Sequence, residues 1–161
     1  MRFLSTLLLT AASAFAQAHG AMQQLAFLTG TYTAEDQATE LGKPDGTCSF
    51  AFETNGTTMV RRNHVSYTGG KAAAPPHDDL MVFYAEGSEL RAIYFDNENH
   101  TIHYNVTVPA VDIVVLESEA GAGPRYRLTH TVKGKRLDTK FEVAAPGQPY
   151  KMYVGGTAVK K

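Results

Sequence analysis

The 161-residue chain has no tryptophan, a single cysteine (Cys48) and only 19% charged residues. One cysteine excludes an internal disulfide, so the fold depends on its core and backbone hydrogen bonds, with Cys48 expected to be a small buried residue. A formal net charge of −1 excludes the broad basic surface that holds nucleic acid or anionic membranes. Glycine-rich phosphate loops and nucleophile motifs are also missing. These absences leave no signature of a specific activity.

The longest apolar run lies at the N-terminus. Arg2 precedes an apolar stretch over residues 3–15, followed by the Ala-Phe-Ala pattern that signal peptidase reads, which ends at Ala16. The stretch is shorter than the roughly 20 residues that cross a bilayer, which disfavours a retained membrane anchor. We therefore expect residues 1–16 to be a cleaved signal peptide, with Ala18 as the alternative cleavage point. The protein is then secreted or periplasmic.

The remaining chain lacks long runs with helical spacing. Short runs rich in Tyr, Phe, Val, Ile and Thr recur between turn residues, after one helical turn predicted over residues 23–28. Links such as Asn55-Gly56 are too short for parallel crossovers, so neighbouring strands must be antiparallel. Ten strands are predicted: Gly30–Glu35, Thr47–Glu53, Thr57–Tyr67, Asp79–Ala85, Glu89–Asp96, Thr101–Val108, Ile113–Ser118, Arg125–Lys133, Arg136–Val143 and Tyr150–Val154, the last extending towards Val159.

Ten sequential antiparallel strands leave two unpaired edges unless the first strand pairs with the last. Closure removes both edges, and a barrel of this size is wide enough to enclose a cavity. We therefore predict an all-β fold, a single up-and-down antiparallel barrel over residues 22–161, with an open sandwich as the alternative. The longer links Thr68–Asp78 and Glu119–Pro124 are predicted to be loops at an open end.

Alternation assigns the inward side chains, because the charged face of a strand must contact water. It turns His130 inward on the strand Arg125–Lys133. A neutral imidazole inside a barrel can bind a ligand, a metal or haem, or act as a base. It can equally be a core residue with an ordinary hydrogen-bond partner, and this structural role is the favoured one.

A second polar position lies on the strand Thr57–Tyr67. Either Arg61 or Arg62 must face inward there, where it would hold a ligand carboxylate or form a salt bridge to Glu53 or Asp96. The salt bridge is slightly favoured. Together with apolar and tyrosine neighbours, the candidate ligand-binding residues are His130, Arg61, Arg62, His64, Tyr84, Tyr94, Tyr104, Tyr126, Leu128 and Phe141.

Two segments suggest cations but are weak matches. Residues 75–79 offer one imidazole and two carboxylates, fewer ligands than a zinc site needs when no second histidine is suitably spaced. Residues 96–99 lack the glycine and distal glutamate of a calcium-binding loop, so a polar turn is expected. The sequons at Asn55, Asn99 and Asn105 matter only in a host that glycosylates its exports.

The segment Leu25-Ala26-Phe27-Leu28-Thr29-Gly30-Thr31-Tyr32 resembles the start of lipocalin-like (calycin) and nitrobindin-like barrels. In those barrels a short helical turn closes the base and Gly-x-Trp opens the first strand; Tyr32 stands here at the Trp position. The ten-strand meander is similar to fatty-acid-binding and nitrobindin barrels, and to uncharacterised exported lipocalin-like proteins. The resemblance implies a cup for a small apolar molecule or, as in nitrobindins, for haem held by a histidine near the C-terminal end. The last strand here has no histidine.

The sequence thus predicts an exported barrel that binds a small apolar or amphipathic molecule, with no catalysis, cofactor, metal, nucleic acid or membrane span. Three alternatives stay open. The first is a haem- or metal-binding barrel that uses His130. The second is a small-molecule enzyme with His130 as general base. The third is a structural or interaction module whose interior is filled by side chains.

Overall fold

The computed structural model describes residues 16–35, 42–70 and 75–161, so the predicted signal peptide lies outside the described residues except for Ala16. Residues 16–23 are helical and Ala26–Leu28 form a 3-10 turn. Ten strands follow: β1 Gly30–Ala34, β2 Gly42–Glu53, β3 Thr58–Gly69, β4 His77–Glu86, β5 Glu89–Asp96, β6 Thr101–Ala110, β7 Ile113–Ser118, β8 Arg125–Lys133, β9 Arg136–Ala144 and β10 Lys151–Lys160.

The ten strands close into one antiparallel barrel. Each strand pairs with its neighbours in sequence, and β1 also pairs with β10, where Ala34 lies opposite Ala158. The predicted all-β up-and-down barrel with a short N-terminal helical turn is confirmed, and the open sandwich is wrong. A closed barrel of ten strands is consistent with the lipocalin-like resemblance.

Several strands, among them β2, β4, β6 and β10, are longer than predicted. β10 continues to Lys160, and β2 begins at Gly42 rather than Thr47. The early part of β2 contains Pro44, a residue type that cannot donate a backbone hydrogen bond to a neighbouring strand. Pro44 is tolerated because the register of β1 on β2 ends at Thr47, so the described residues before it pair only with β3. Proline is accepted where a strand has one partner.

The link between β2 and β3 follows the predicted turn chemistry. Thr54–Gly56 form a 3-10 turn in which Asn55 and Gly56 have φ values of 55° and 81°. Asparagine and glycine tolerate this left-handed region better than other residues. A side chain at Gly56 would also crowd the His19 ring of the N-terminal helix, 3.1 Å from the Cβ position.

The N-terminal helical residues close one end of the barrel, which we call the closed end. Met22, Leu25 and Leu28 are completely buried there. Tyr32, also buried, donates a hydrogen bond from its hydroxyl to the carbonyl of Leu28 at 3.0 Å. This end is therefore packed with side chains, as the resemblance implies for the barrel base.

One charged residue on the outer face is buried rather than wet. Glu142 on β9 is 5% exposed, because Arg127 and Lys140 cover it with ion pairs of 2.7 and 2.6 Å. The hydrogen bond from Arg127, followed by that from Lys140, lowers the pKa of Glu142 to about 2. The ion pair of Arg127 with Glu142 thus links β8 to β9 on the outside of the barrel.

Candidate functional site

The inner surface of the barrel is partly exposed at the end opposite the helix, which we call the open end. The links 97–100, 119–124 and 145–150 lie at this end. Near these links the inward residues Tyr94, Tyr126 and Phe141 are partly exposed and Val154 is exposed, whereas Met22, Leu25 and Leu28 are completely buried at the closed end. We define the open-end cup by its inward residues Asn63, Tyr94, Ile102, Tyr126, Phe141 and Val154.

The cup is shallow because aromatic and methionine side chains fill the barrel below it. Phe50, Met59, Met81 and Phe83 are all at most 2% exposed. Two concavities of the described residues are surface grooves. One of about 530 Å³ lies across the outer face of β2 to β5, and one of about 340 Å³ lies beside Ala34.

One wall of the cup is polar. Arg61 on β3 forms a direct, buried ion pair with Asp79 on β4. The Asn63 amide donates to the other oxygen of Asp79 at 2.9 Å, and His77 Nε2 lies 3.5 Å from it. The same nitrogen of His77 lies 3.0 Å from the hydroxyl of Tyr94. These contacts join three neighbouring strands through side chains inside the barrel.

The predicted acids are not the partners of the inward arginine. Glu53 lies exposed at the end of β2. Asp96 accepts hydrogen bonds from the Tyr94 hydroxyl at 3.1 Å and from the His100 backbone at 2.9 Å, and its carboxylate lies 2.8 Å from His100 Nδ1. Burial acts to raise the pKa of Asp96, but these bonds, with one from Glu98, hold it below its ordinary value. Asp96 therefore organises the turn after β5.

His130 lies beneath the cup and is completely buried, which confirms its predicted inward orientation. Its Nδ1 lies 3.0 Å from the Thr139 hydroxyl, and the Phe50 ring packs edge-on with centroids 5.4 Å apart. Burial first, and then the positive charge of Arg61, lower the pKa of His130 well below its ordinary value. The imidazole is therefore neutral at pH 7.

Two buried polar atoms lack a hydrogen-bond partner among the described residues of the barrel interior. They are Nε2 of His130 and Nε of Arg61. Both residues are at most 6% exposed, and buried polar groups in folded proteins are nearly always paired. These two atoms are thus the interior groups with unused hydrogen-bonding capacity.

The opposite wall of the cup is aromatic. Tyr126 and Phe141 stack with centroids 5.9 Å apart and an interplanar angle of 9°. Tyr153 on β10 meets Phe141 edge-on at 5.9 Å and is 76% exposed. The predicted inward residues Leu128 and Tyr104 are buried below them. Tyr153 is not among the predicted site residues, because an irregularity in the pairing of β10 with β9 at this residue interrupts the alternation.

Three predicted ligand residues do not face the interior. Arg61 points inward, so Arg62 and His64 fall on the outer face, because successive strand residues alternate. His64 Nδ1 lies 2.7 Å from the exposed Asp78 carboxylate. Tyr84 is also on the outer face, next to the inward Phe83. The expectation that these three line the pocket is wrong.

The described residues contain no group of three or more His, Cys, Asp or Glu side chains placed to hold a metal. In the segment 75–79, Asp78 lies on the opposite face of β4 from His77 and Asp79, so the three side chains do not converge. A haem on Nε2 of His130 would need open space beside the imidazole. His130 is completely buried and the Phe50 ring packs edge-on against it, so a ring system as large as haem has no open approach to the imidazole.

A scan against protein-family models and a search of curated proteins both returned no match to this chain. Across the described parts of the chain, no helix combines the length and apolar character required to span a membrane.

Proposed function

We propose that this protein is an exported, secreted or periplasmic barrel that binds a small, mainly apolar molecule in the open-end cup and catalyses no reaction. One observation carries the proposal: apolar inward side chains are solvent-accessible at one end of a closed barrel. A barrel with a purely structural role has no need to leave Tyr126, Phe141 and Val154 in contact with water, since their burial would stabilise it.

The size of the apolar wall sets the expected affinity. A ligand that buries about 200 Å² of apolar surface gains about 5 kcal/mol, before the costs of association. A gain of about 5 kcal/mol corresponds to a dissociation constant of about 0.2 mM, and the costs of association weaken it further. Polar groups at the base of the cup, Arg61 and His130, would orient the molecule rather than supply most of the binding energy.

Two properties of His130 favour binding over catalysis. A general base works best with a pKa near the operating pH, and the pKa of His130 is lowered well below its ordinary value. Its Nδ1 contacts the neutral hydroxyl of Thr139 rather than a carboxylate that would stabilise an imidazolium. Both properties make His130 a poor proton acceptor.

A fluorescence titration with the neutral probe N-phenyl-1-naphthylamine tests the site. We expect saturable binding by the wild type and at least a fivefold loss of affinity for Phe141→Ala. The matched control is Phe95→Ala, which removes a 41% exposed aromatic ring from the outer face of β5 and should leave binding unchanged. Absence of binding, or equal losses in the two variants, would contradict the proposal.

Export and ligand identity are tested on protein purified from its own host. An intact mass that corresponds to cleavage after Ala16 or Ala18 is expected, and native mass spectrometry should detect a co-purifying small molecule. A mass that includes the N-terminal 16 residues would refute export through a cleaved signal peptide.

A further inference from the structure

The charges beneath the open-end cup indicate which chemical class of ligand it can bind. Inside the barrel, Arg61 and Asp79 form a direct ion pair, so their charges cancel, and His130 is neutral. A ligand carboxylate placed here would bring a second negative charge close to Asp79. It would also give up its hydration without gaining an unpaired cation.

Hydrogen-bonding capacity nevertheless remains at the same place. The Nε–H of Arg61 is a donor without a partner among the described residues, and Nε2 of His130 is a donor or an acceptor according to its tautomer. Phe50 lies opposite Arg61 in the register of β2 and β3, and its ring packs against His130 with centroids 5.4 Å apart, so the two polar groups lie at the same depth of the interior. A carbonyl oxygen can accept from Arg61, and a hydroxyl can in addition donate to His130.

A route to these groups crosses the inner face of β10. Gly156 lies opposite Thr139, the residue whose hydroxyl contacts His130. It shares the inner face with Ala158, which packs against the core two residues later. Gly156 is exposed, and a Cβ built on it would meet no heavy atom of residues 16–35, 42–70 or 75–161 within 4 Å. The space beside Gly156 is therefore separated from His130 by one residue, Thr139.

We propose that the cup takes an uncharged molecule with a hydroxyl or carbonyl oxygen on an apolar tail, admitted across Gly156, and discriminates against the corresponding carboxylate. The oxygen pairs with Arg61 and His130, and the tail lies against the aromatic wall of Tyr126 and Phe141. This inference rests on the proposed function, because it specifies the ligand of the same cup.

Competition against bound N-phenyl-1-naphthylamine at pH 7.5 tests the head group. 1-Decanol and decanoate have the same chain length, and we expect decanol to displace the probe at a concentration at least tenfold lower. Asp79→Asn leaves Arg61 without its counter-charge and should shift the preference at least tenfold towards decanoate. Asp138→Asn, on the outer face of β9, is the matched control and should keep the wild-type preference.

The access route is tested by Gly156→Leu, which should weaken decanol binding at least tenfold. The control is Ala51→Leu at an exposed position on β2. If circular dichroism shows that Asp79→Asn does not fold, the head-group preference can be tested with the wild-type protein alone. As the pH falls, decanoic acid becomes uncharged, and its affinity relative to that of decanol in the same buffers must then increase.

The outcomes separate the two proposals. If the wild type binds no probe, the proposed function fails. If it binds the probe but decanoate competes as well as or better than decanol, the head-group inference is overturned while the proposed function stands. Equal decanol affinity in Gly156→Leu and the wild type overturns the access route.

Discussion

The buried ion pair between Arg61 and Asp79 gives the sharpest test of the interior. Arg61→Met removes the cation and leaves Asp79, which is 8% exposed, with only the Asn63 amide and His77 as neighbouring donors. An uncompensated buried charge typically costs about 3–5 kcal/mol. This loss is a large part of the roughly 5–15 kcal/mol by which domains are stable.

The reciprocal change, Asp79→Leu, leaves the Arg61 guanidinium buried without its carboxylate and should destabilise the barrel by a similar amount. The double variant replaces both charges by apolar groups, so it should lose less than the sum of the single losses. We expect a coupling of about 2–3 kcal/mol, which a double-mutant cycle measures.

Urea unfolding at pH 7 provides the four free energies, with unchanged m-values as the condition for comparison. The exposed pair of Arg91 with Glu89, at 2.6 Å, is the control, and its cycle should give a coupling below about 1 kcal/mol. Additive losses for Arg61→Met and Asp79→Leu, or single losses below about 1 kcal/mol, would refute the view that this pair is closed off from water.

Three further predictions concern other parts of the barrel. Because the pKa of His130 is lowered from 6.5, the unfolded chain binds the proton more readily, so stability should fall as pH drops below about 6.5. His130→Gln should flatten this dependence in urea midpoints, whereas the exposed His103→Gln should retain it. Glu142→Gln should lower the free energy of unfolding by about 1–2 kcal/mol at pH 7 and by little near pH 2. The pKa of Glu142 is lower in the folded protein than in the unfolded chain, so the ionised side chain stabilises the fold fully above the unfolded pKa, and this gain is lost as the pH falls towards 2. Leu25→Ala at the closed end should cost about 2–5 kcal/mol and lower Tm, and Leu80→Ala on the half-exposed Leu80 should cost less. Equal losses in the two variants would contradict tight packing of the closed end.

Much of the fold could be predicted because apolar and polar residues alternate clearly along strands that short links connect. In β8 and β9, charged residues separate apolar ones, and the predicted strands match the observed ones to within one residue. The same alternation placed His130, Leu128 and Phe141 on the inner face. No such period is available for Tyr84, because the run Met81-Val82-Phe83-Tyr84 is apolar on both faces.

The pairing of side chains inside the barrel was harder to predict. Arg61 and Asp79 are 18 positions apart, and their contact depends on the register of β3 against β4. That register is not set by a tight turn, since the link between the two strands spans residues 70–76. Sequence reasoning therefore identified an inward arginine and its need for an acid, but chose the wrong acid.

The positions of polar and aromatic side chains inside the barrel are explained better by the proposed ligand binding than by stability alone. Replacement of a buried ion pair by apolar residues of similar volume is often neutral or stabilising, so stability alone does not require Arg61 and Asp79. The ion pair and its hydrogen-bond partners lie on β3 to β5, whereas the wall formed by β8 to β10 carries aromatic rings above the buried His130. A molecule held between these walls has one orientation in which its oxygen meets donors and its tail meets rings. A filled structural barrel would explain the packed closed end, but it would explain neither this division nor the exposed inner face of β10.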